Sequence, residues 1–226
     1  MDVADLESRA PVLCLDTCSL LDVMRDPTRE SAHPHDRQAA LDLVQAAEAG
    51  RLTCLVADQV ALEFAAHDQA VQDEARQNLM KLRRQIERVD KVAAVYGATG
   101  SVRLDHLDDH VARARALVGR WLTQVVQVTP SDAVPGRAFA RINAARAPAA
   151  KGKDSSKDCL VYETYLEAVA TLRAGGCQAP IVFLSSNTRE YVSQGGVLKP
   201  EVAFEFGPLQ LSLATGWGHA KHALGL

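Results

Sequence analysis

The sequence predicts an α/β fold in which a central parallel sheet is flanked by helices. Two short apolar runs, VLCL at 12–15 and LTCLVA at 52–57, have the length of buried strands, and a helical pattern follows each of them. The same alternation returns near the C-terminal end, where a helical segment precedes the apolar run at 181–184. Strands that alternate with helices form parallel sheets covered on both faces.

Each element has a local signal. Thr17–Val23 predicts a turn that leads into a short helix, and the Pro, Ser and Asp content of 26–36 indicates a loop. The next helix is expected to end at Gly50, and Asp58 is expected to be the N-cap of the helix after the second strand. The later elements are a basic helix at about 138–146, a helix over 157–174, a strand over 181–184 and a candidate strand over 202–206.

Residues 68–126 predict an antiparallel helical hairpin inserted into this domain. Apolar residues recur at spacings of three and four in both halves, which the break GATGS at 97–101 separates. Two helices joined by a short turn of this kind pack antiparallel, with arms of roughly 35–40 Å. A single domain therefore spans 1–226 and contains the hairpin. The repeating apolar positions are Leu79, Leu82, Ile86, Val89, Ala93 and Tyr96, and then Leu104, Leu107, Val111, Ala114, Val118, Trp121 and Val125.

Composition places the chain among globular proteins. It has 226 residues, 47% of them hydrophobic, which is enough for one sizeable core. No apolar stretch reaches the ~20 residues that cross a bilayer, and the polar N-terminus MDVADLESRA lacks the layout of a signal peptide. These features predict a soluble cytoplasmic protein that does not enter a membrane.

Positive charge is concentrated in two segments, although the net charge is −3. Residues 76–91 contain six Lys or Arg against two acidic residues, a local charge of +4, and residues 137–157 contain six against one, a local charge of +5. Localised positive surface suits contacts with phosphate groups, although a solvated helix face has the same signature. The candidate phosphate-binding residues of the second segment are Arg137, Arg141, Arg146, Lys151, Lys153 and Lys157.

Polar residues follow the predicted strands where a ligand crevice is expected. Asp16 ends the first apolar run, Glu63 lies on the helix after the second, Asp158 opens a late helix, and Asn187 follows IVFLSS. Side chains that are distant in sequence converge at the carboxyl edge of a parallel sheet. Their oxygen atoms suit Mg²⁺ or Mn²⁺, and a site of this kind serves phosphodiester hydrolysis.

Each of these residues also has a purely structural interpretation. Asp16 can cap the helix after it, Glu63 can lie at an exposed helix edge, and Asn187 sits in an ordinary turn sequence. Asp158 competes with Asp154, because GKDSSKD has two carboxylates four residues apart at a helix start. The set as a whole favours a functional site more strongly than any one member does.

The motifs resemble those of the PIN-domain ribonucleases, which include the VapC toxins of bacterial toxin–antitoxin pairs. LSSNTREY is the most specific, since it is similar to the V-T-N-N-T-R-E-F run of VapC-type toxins; the other matches are LDT at the first strand, VALE and DCLV. The resemblance covers about 12–64 and 151–207 and leaves out the hairpin. It implies that Asp16, Glu63 and Asp158 are ligands of Mg²⁺ or Mn²⁺ and that Asn187 occupies the fourth polar position.

The function implied is that of a metal-dependent endoribonuclease, with the toxin of a toxin–antitoxin pair as one form of it. The basic residues of 137–157 would bind the RNA backbone, and the hairpin would clamp structured RNA, bind an antitoxin or other protein, or form a homodimer. A non-catalytic PIN-like module that binds RNA or protein is the alternative. A haloacid-dehalogenase-type phosphatase is disfavoured because Cys18 stands where a second Asp is needed, and a dinucleotide-binding domain because no G-x-G-x-x-G follows the first strand.

Overall fold

A five-stranded parallel sheet forms the centre of the protein, as a computed structural model that describes residues 10–226 shows. The order is β3-β2-β1-β4-β5, and every neighbouring pair is parallel. This confirms the predicted fold class. Residues 1–9, which make up most of the polar N-terminus, lie outside the described part. The strands are β1 (Val12–Leu15), β2 (Thr53–Ala57), β3 (Val125–Val128), β4 (Ile181–Leu184) and β5 (Leu211–Ala214).

Helices flank the sheet and form two groups. The first group packs α2 against α4 and α9, and the second packs α6 against α5 and α8. The helices are α1 (Thr17–Met24), α2 (Pro34–Glu48), α3 (Asp58–Val95), α4 (His110–Gln124), α5 (Val134–Asn143), α6 (Ser156–Ala174), α7 (Thr188–Tyr191), α8 (Pro200–Leu209) and α9 (Trp217–Leu224). Within residues 10–226, no helix has both the length and the apolar character that crossing a membrane requires.

Helix ends agree with the sequence at one of two predicted positions. Gly50 follows α2 with a φ of 67°, a left-handed conformation that glycine adopts without steric penalty and that lets the chain turn towards β2. Asp58 was expected to be the N-cap of α3, but Ala57 occupies that position and Asp58 is the first helical residue. The prediction was wrong by one residue because β2 continues directly into α3.

The predicted strand at 202–206 was wrong, because these residues belong to helix α8. Val202 and Phe206 are buried while Phe204 is 79% exposed. Apolar residues at three alternate positions suggest a strand, but the two buried ones are four residues apart, which is the spacing of one helix face. Pro200 in the first turn supplies a backbone angle suited to a helix start. The edge strand is instead β5, which the sequence analysis missed.

The predicted helical hairpin is part of the core at its base and separate from it further out. Helix α3 crosses residue 68 without a break, and Val125 starts strand β3 rather than ending a helix. Val118 and Trp121 of α4 lie in the main core, where the Trp121 ring is 5.0 Å from that of Trp217. A second, small cluster further out contains Ala75, Leu79 and Val111, with Leu107 packed against it. The assignment of 68–126 as an insertion stays a prediction.

Candidate active site

The predicted acidic residues are associated with the carboxyl edge of the sheet, near the point where the strand order reverses. From β1 the chain proceeds outward to β2 and β3, and then returns to the other side of β1 to form β4 and β5. Ligand crevices in open parallel sheets form at such reversals, outside the strand carboxyl ends. Asp16 directly follows β1, and Asn187 lies three residues beyond the end of β4.

Asp16 is held in place by three donors. Its Oδ1 accepts a hydrogen bond from the Thr17 backbone N–H at 2.7 Å, and its Oδ2 accepts from the Ser185 hydroxyl at 2.6 Å and the Cys18 thiol at 3.0 Å. Burial raises the pKa of Asp16, and these hydrogen bonds oppose that shift. Asp16 is also the N-cap of α1, so the structural interpretation of this residue and its place in the site are compatible.

Glu63 is linked to Asp16 through Thr17. The Thr17 hydroxyl donates to Glu63 Oε2 at 3.0 Å, and the Gln59 side-chain amide donates to Glu63 Oε1 at 3.1 Å. Glu63 is half-buried and fixed from two sides. Residues that are 46 positions apart in sequence therefore share one hydrogen-bond network at this edge.

Tyr165 positions the two segments that carry Asp16 and Glu63. Its buried hydroxyl donates to the Leu15 carbonyl at 2.5 Å and accepts from the Ala57 N–H at 3.0 Å. Leu15 immediately precedes Asp16, and Ala57 immediately precedes α3. This tyrosine on α6 therefore fixes the end of β1 relative to the start of the helix that bears Glu63.

Asp158 belongs to the acidic group, whereas Asp154 stabilises the helix start. Burial raises the pKa of Asp158 from 3.8 to about 6, and the carboxylates of Glu190 and Glu63 act in the same direction. Asp16 and Asp158 also repel each other electrostatically. Asp154 is exposed, and its Oδ1 accepts from the Ser156 N–H at 3.0 Å and the Ser156 hydroxyl at 2.7 Å. Of the two carboxylates in GKDSSKD, Asp158 is the one that joins the site.

Glu190 and Ser185 are site residues that the sequence analysis did not single out. The Glu190 side chain is only 6% exposed, its Oε1 forms an ion pair with Lys153, and its buried Oε2 has no hydrogen-bond partner among the described residues. Lys153 Nζ also lies 3.5 Å from Asp158 Oδ2. A signal was present, because Glu190 stands three positions after Asn187 in the motif LSSNTREY.

Asn187 is connected to the acidic group through its backbone. It is the N-cap of α7, yet its side chain makes no capping hydrogen bond there. Its backbone N–H donates to the Ser185 hydroxyl at 3.3 Å, and that hydroxyl in turn binds Asp16. The Asn187 backbone is therefore linked to Asp16 through one shared serine.

Most of the predicted phosphate-binding residues are engaged in internal ion pairs. Arg141 is buried, with Nη2 at 2.7 Å from Glu163 and 2.8 Å from Glu205, and its guanidinium stacks 4.5 Å from the centre of the Tyr162 ring. Arg137 pairs with Glu163 and Glu167, Arg146 with Glu205, and Lys153 with Asp158 and Glu190. The RNA-binding assignment of Arg141 is corrected on this ground, because its charge is already neutralised and enclosed. Lys151 and Lys157 are exposed.

The acidic group has the donor chemistry of a divalent-cation site, although its side chains are not assembled around one point. No set of three or more His, Cys, Asp or Glu side chains within residues 10–226 has the arrangement of a metal site. The donors are carboxylate oxygens, which hard cations prefer. Mutual repulsion and the unpartnered Glu190 Oε2 indicate a local excess of negative charge, and within residues 10–226 the Lys153 ammonium is the cation that pairs with Asp158 and Glu190. These residues therefore fit a divalent cation by charge and donor type.

Fold and site together define an α/β protein with an acidic edge of the kind nucleases use. The sequence profile of the PIN domain family matches residues 13–191, and the chain belongs to this family. Comparison with curated proteins and with solved structures gave no match. PIN domains are in general nucleases and typically use divalent metal ions.

Proposed function

We propose that this protein is an endoribonuclease that hydrolyses RNA phosphodiester bonds with the help of Mg²⁺ or Mn²⁺. The observation that carries the proposal is the association of Asp16, Glu63 and Asp158 at the carboxyl edge, with a raised pKa at Asp16 and Asp158. Carboxylates with raised pKa values that share a crevice are typical of sites adapted to chemistry rather than to stability. The family membership supports nuclease chemistry in general.

The three carboxylates have different environments, and these suggest different roles. Asp16 and Glu63 are fixed by hydrogen-bond donors, so they offer oxygen atoms in defined positions without a large rearrangement. Asp158 is less constrained, since the Lys153 ammonium is the group that contacts it and that ammonium also binds Glu190. We expect Asp158 to hold a proton below about pH 6 and to be an anion above it.

Asp16, Glu63 and Asp158 would hold the cation, with Asn187 and Glu190 next to them. A bound divalent cation supplies Lewis-acid stabilisation of the negative charge that develops on the phosphate, and it makes water a better nucleophile at neutral pH. The protein supplies preorganised oxygen ligands, since Thr17, Ser185 and Tyr165 hold the chain on either side of them.

A substitution series tests the proposal. Asp16→Asn, Glu63→Gln and Asp158→Asn each remove a charge while preserving volume, and each should reduce cleavage of a fluorogenic RNA in Mn²⁺ by at least about 100-fold. Asp154→Asn is the matched control, because Asp154 stands four residues from Asp158 but contacts only Ser156. Its activity should stay within about threefold of the unmodified protein.

Removal of metal distinguishes the proposal from its alternative. Cleavage should stop in excess EDTA and return when Mn²⁺ is restored. Cleavage that persists in EDTA would refute the metal-dependent reaction. Binding of RNA without cleavage in either metal would instead support a non-catalytic PIN-like module that binds RNA or protein.

The likeness of LSSNTREY to VapC-type toxins extends the proposal to a toxin role, with an antitoxin as partner. Induced expression in a bacterial host should then arrest growth, and expression of Asp16→Asn at the same level should not. Normal growth at equal protein levels would limit the proposal to the ribonuclease reaction itself.

A further inference from the structure

A cleft lies at the carboxyl edge of the sheet, beside the acidic group. Its volume is about 550 Å³, which is in the range of small-molecule sites and large enough for a nucleotide. Cys18 and Asn187 line it on the side of the acidic group, and Thr215–Trp217 line it beyond β5. Most of the remaining wall is formed by residues within the segment 22–37, which comprises the end of α1, the connection to α2 and the first turn of α2.

The acidic residues in this wall are already engaged with other groups. Asp26 accepts from the Thr28 N–H at 2.8 Å and the Thr28 hydroxyl at 2.7 Å. Asp36 Oδ1 accepts from the Gly218 N–H at 2.9 Å. Asp22 lies 2.8 Å from Arg25 Nε. The carboxylates of the cleft are therefore occupied by local partners.

Two arginines of the same wall lack such partners. Arg29 and Arg37 both line the cleft, and neither has a carboxylate oxygen within 4.0 Å among residues 10–226. Arg37 is half-buried, and burial lowers its pKa; Asp22 and Asp36 oppose that shift without contacting the guanidinium, and Arg29 lowers the pKa by a smaller amount. A half-buried guanidinium that has no carboxylate at ion-pair distance, with a second unpaired guanidinium lining the same cleft, favours binding of an anion.

Unlike Arg29 and Arg37, most basic residues of the segment 137–157 are already paired. Arg137, Arg141, Arg146 and Lys153 bind acidic side chains of the protein itself. Arg29 and Arg37 have no such ion pair among residues 10–226, and a guanidinium matches the geometry of a phosphate with two parallel hydrogen bonds.

We propose that Arg29 and Arg37 bind a phosphate group of the RNA strand in this cleft, next to the carboxylates that perform the cleavage. This inference rests on the proposed function, since it names where that substrate is held. The phosphate is either an internal phosphodiester or a terminal 5′-phosphate, because both present at least two non-bridging oxygen atoms to a guanidinium.

Binding of a 3′-fluorescein single-stranded RNA to the Asp16→Asn protein in EDTA tests the inference without cleavage. Fluorescence anisotropy should show about tenfold weaker binding for Arg37→Ala and a measurable loss for Arg29→Ala. In a double variant that combines Arg29→Ala with Arg37→Ala, the slope of log Kd against log salt concentration should become shallower by about 0.7 if one phosphate contact is lost. The affinity of Arg37→Lys should lie between that of the Asp16→Asn parent and that of Arg37→Ala, since lysine keeps the charge but not the paired hydrogen bonds.

Arg51→Ala is the matched control. Arg51 is an exposed arginine that precedes β2, at the opposite edge of the sheet, and its loss should leave affinity and salt slope unchanged. Thermal melts identify any variant that has lost its fold, and Arg29 is exposed, so its replacement leaves the core untouched.

The outcomes separate this inference from the proposed function. Equal affinity and equal salt slope for the double variant and Arg51→Ala, with the Asp16→Asn parent still binding RNA, would overturn the role of the cleft alone. A parent that binds no RNA at low salt would overturn the proposed function and this inference with it. A preference for 5′-phosphorylated over 5′-hydroxyl RNA that the double variant loses identifies a terminal phosphate as the occupant, and equal affinity of the two RNAs identifies an internal phosphodiester.

Discussion

Replacement of Asp158 by Asn should make the protein more stable at neutral pH while it removes activity. The pKa of this carboxyl rises from 3.8 to about 6 on folding, mainly through burial and secondarily through Glu190. A difference of about 2 pKa units corresponds to about 3 kcal/mol by which folding disfavours the ionised form. Because the side chain keeps 29% of its exposure, we expect a gain of about 1–3 kcal/mol from Asp158→Asn at pH 7.

The sign of the pH dependence follows from the direction of the shift. A carboxyl whose pKa is raised in the folded state opposes folding when it is ionised, so this penalty is present above pH 6 and disappears as the pH falls through the folded pKa towards 4. The advantage of Asp158→Asn over the unmodified protein should therefore shrink across the same interval. Lys153 keeps Glu190 as a partner in the variant, so the substitution leaves no buried cation unpaired.

Thermal unfolding by circular dichroism at pH 7.5 and pH 4.5 measures both effects. For a domain of this size, 1–3 kcal/mol corresponds to an increase in Tm of roughly 2–12 °C at the higher pH. Asp154→Asn is the control; the pKa of Asp154 is lowered by its hydrogen bonds to Ser156, so its replacement should give no increase. An unchanged or lower Tm for Asp158→Asn at pH 7.5, or an equal gain at both pH values, would refute the reasoning.

Divalent cations should stabilise the unmodified protein more than Asp158→Asn. A cation that binds the ionised carboxylates stabilises only the folded state, by about 1.4 kcal/mol at ten times its Kd. Mn²⁺ should therefore raise the Tm of the unmodified protein more than that of Asp158→Asn. Equal shifts in the two proteins would place the cation elsewhere.

Four other perturbations have definite expected results. Glu190→Gln should move the acidic limb of the pH–rate profile to lower pH, and Lys153→Met should move it to higher pH, each by up to about one unit, because the first removes a negative and the second a positive neighbour of Asp158. Arg141→Met should reduce the free energy of unfolding in urea by about 3–5 kcal/mol, since Arg141 is 3% exposed and its loss removes the buried cation that Glu163 and Glu205 share, leaving them, among the described residues, only the more exposed Arg137 and Arg146; a loss below 1 kcal/mol would contradict this. Replacement of residues 84–103 by a six-residue Gly/Ser linker should preserve a cooperative melt. The two residues to be joined lie close together, since Arg83 Nη2 contacts the Leu104 carbonyl at 3.1 Å, so a short linker can connect them. Loss of the melt would show that the outer hairpin is needed for folding.

Local sequence patterns predict the elements that carry Asp16 and Asn187. The buried strands β1 and β4 are short runs of consecutive apolar residues, too short to suggest the spacing of a helix face. The polar residues that follow each of them can therefore be placed at the carboxyl edge. The apolar pattern at 202–206 was ambiguous because alternate residues satisfy a strand while two of them also satisfy a helix face. Only packing against neighbouring elements decides between these periods.

The role of Glu190 depends on packing that no local pattern shows. In the sequence it stands between Arg189 and Tyr191, as an ordinary residue of a short helix. In the structure its side chain is buried beside the Lys153 ammonium, and its carboxylate raises the pKa of Asp158 across 32 sequence positions. Proximity of this kind arises from the return of the chain to the sheet beside β1.

The placement of positive charge shows why local charge sums were a poor guide to the substrate surface. The +5 of the segment 137–157 is real, but Glu163, Glu167, Glu190 and Glu205 lie against it in space and neutralise most of it. The segment 22–37 has four acidic and three basic residues, a local charge of −1, so the sequence gives no sign of a positive surface, yet Thr28 and Gly218 satisfy two of its carboxylates. A phosphate binds best to an arginine or lysine that is not already paired with a carboxylate. Whether the arginine is free depends on whether the nearby carboxylates accept hydrogen bonds from other groups. Arg37 meets this condition and Arg141 does not, although the sequence analysis selected Arg141.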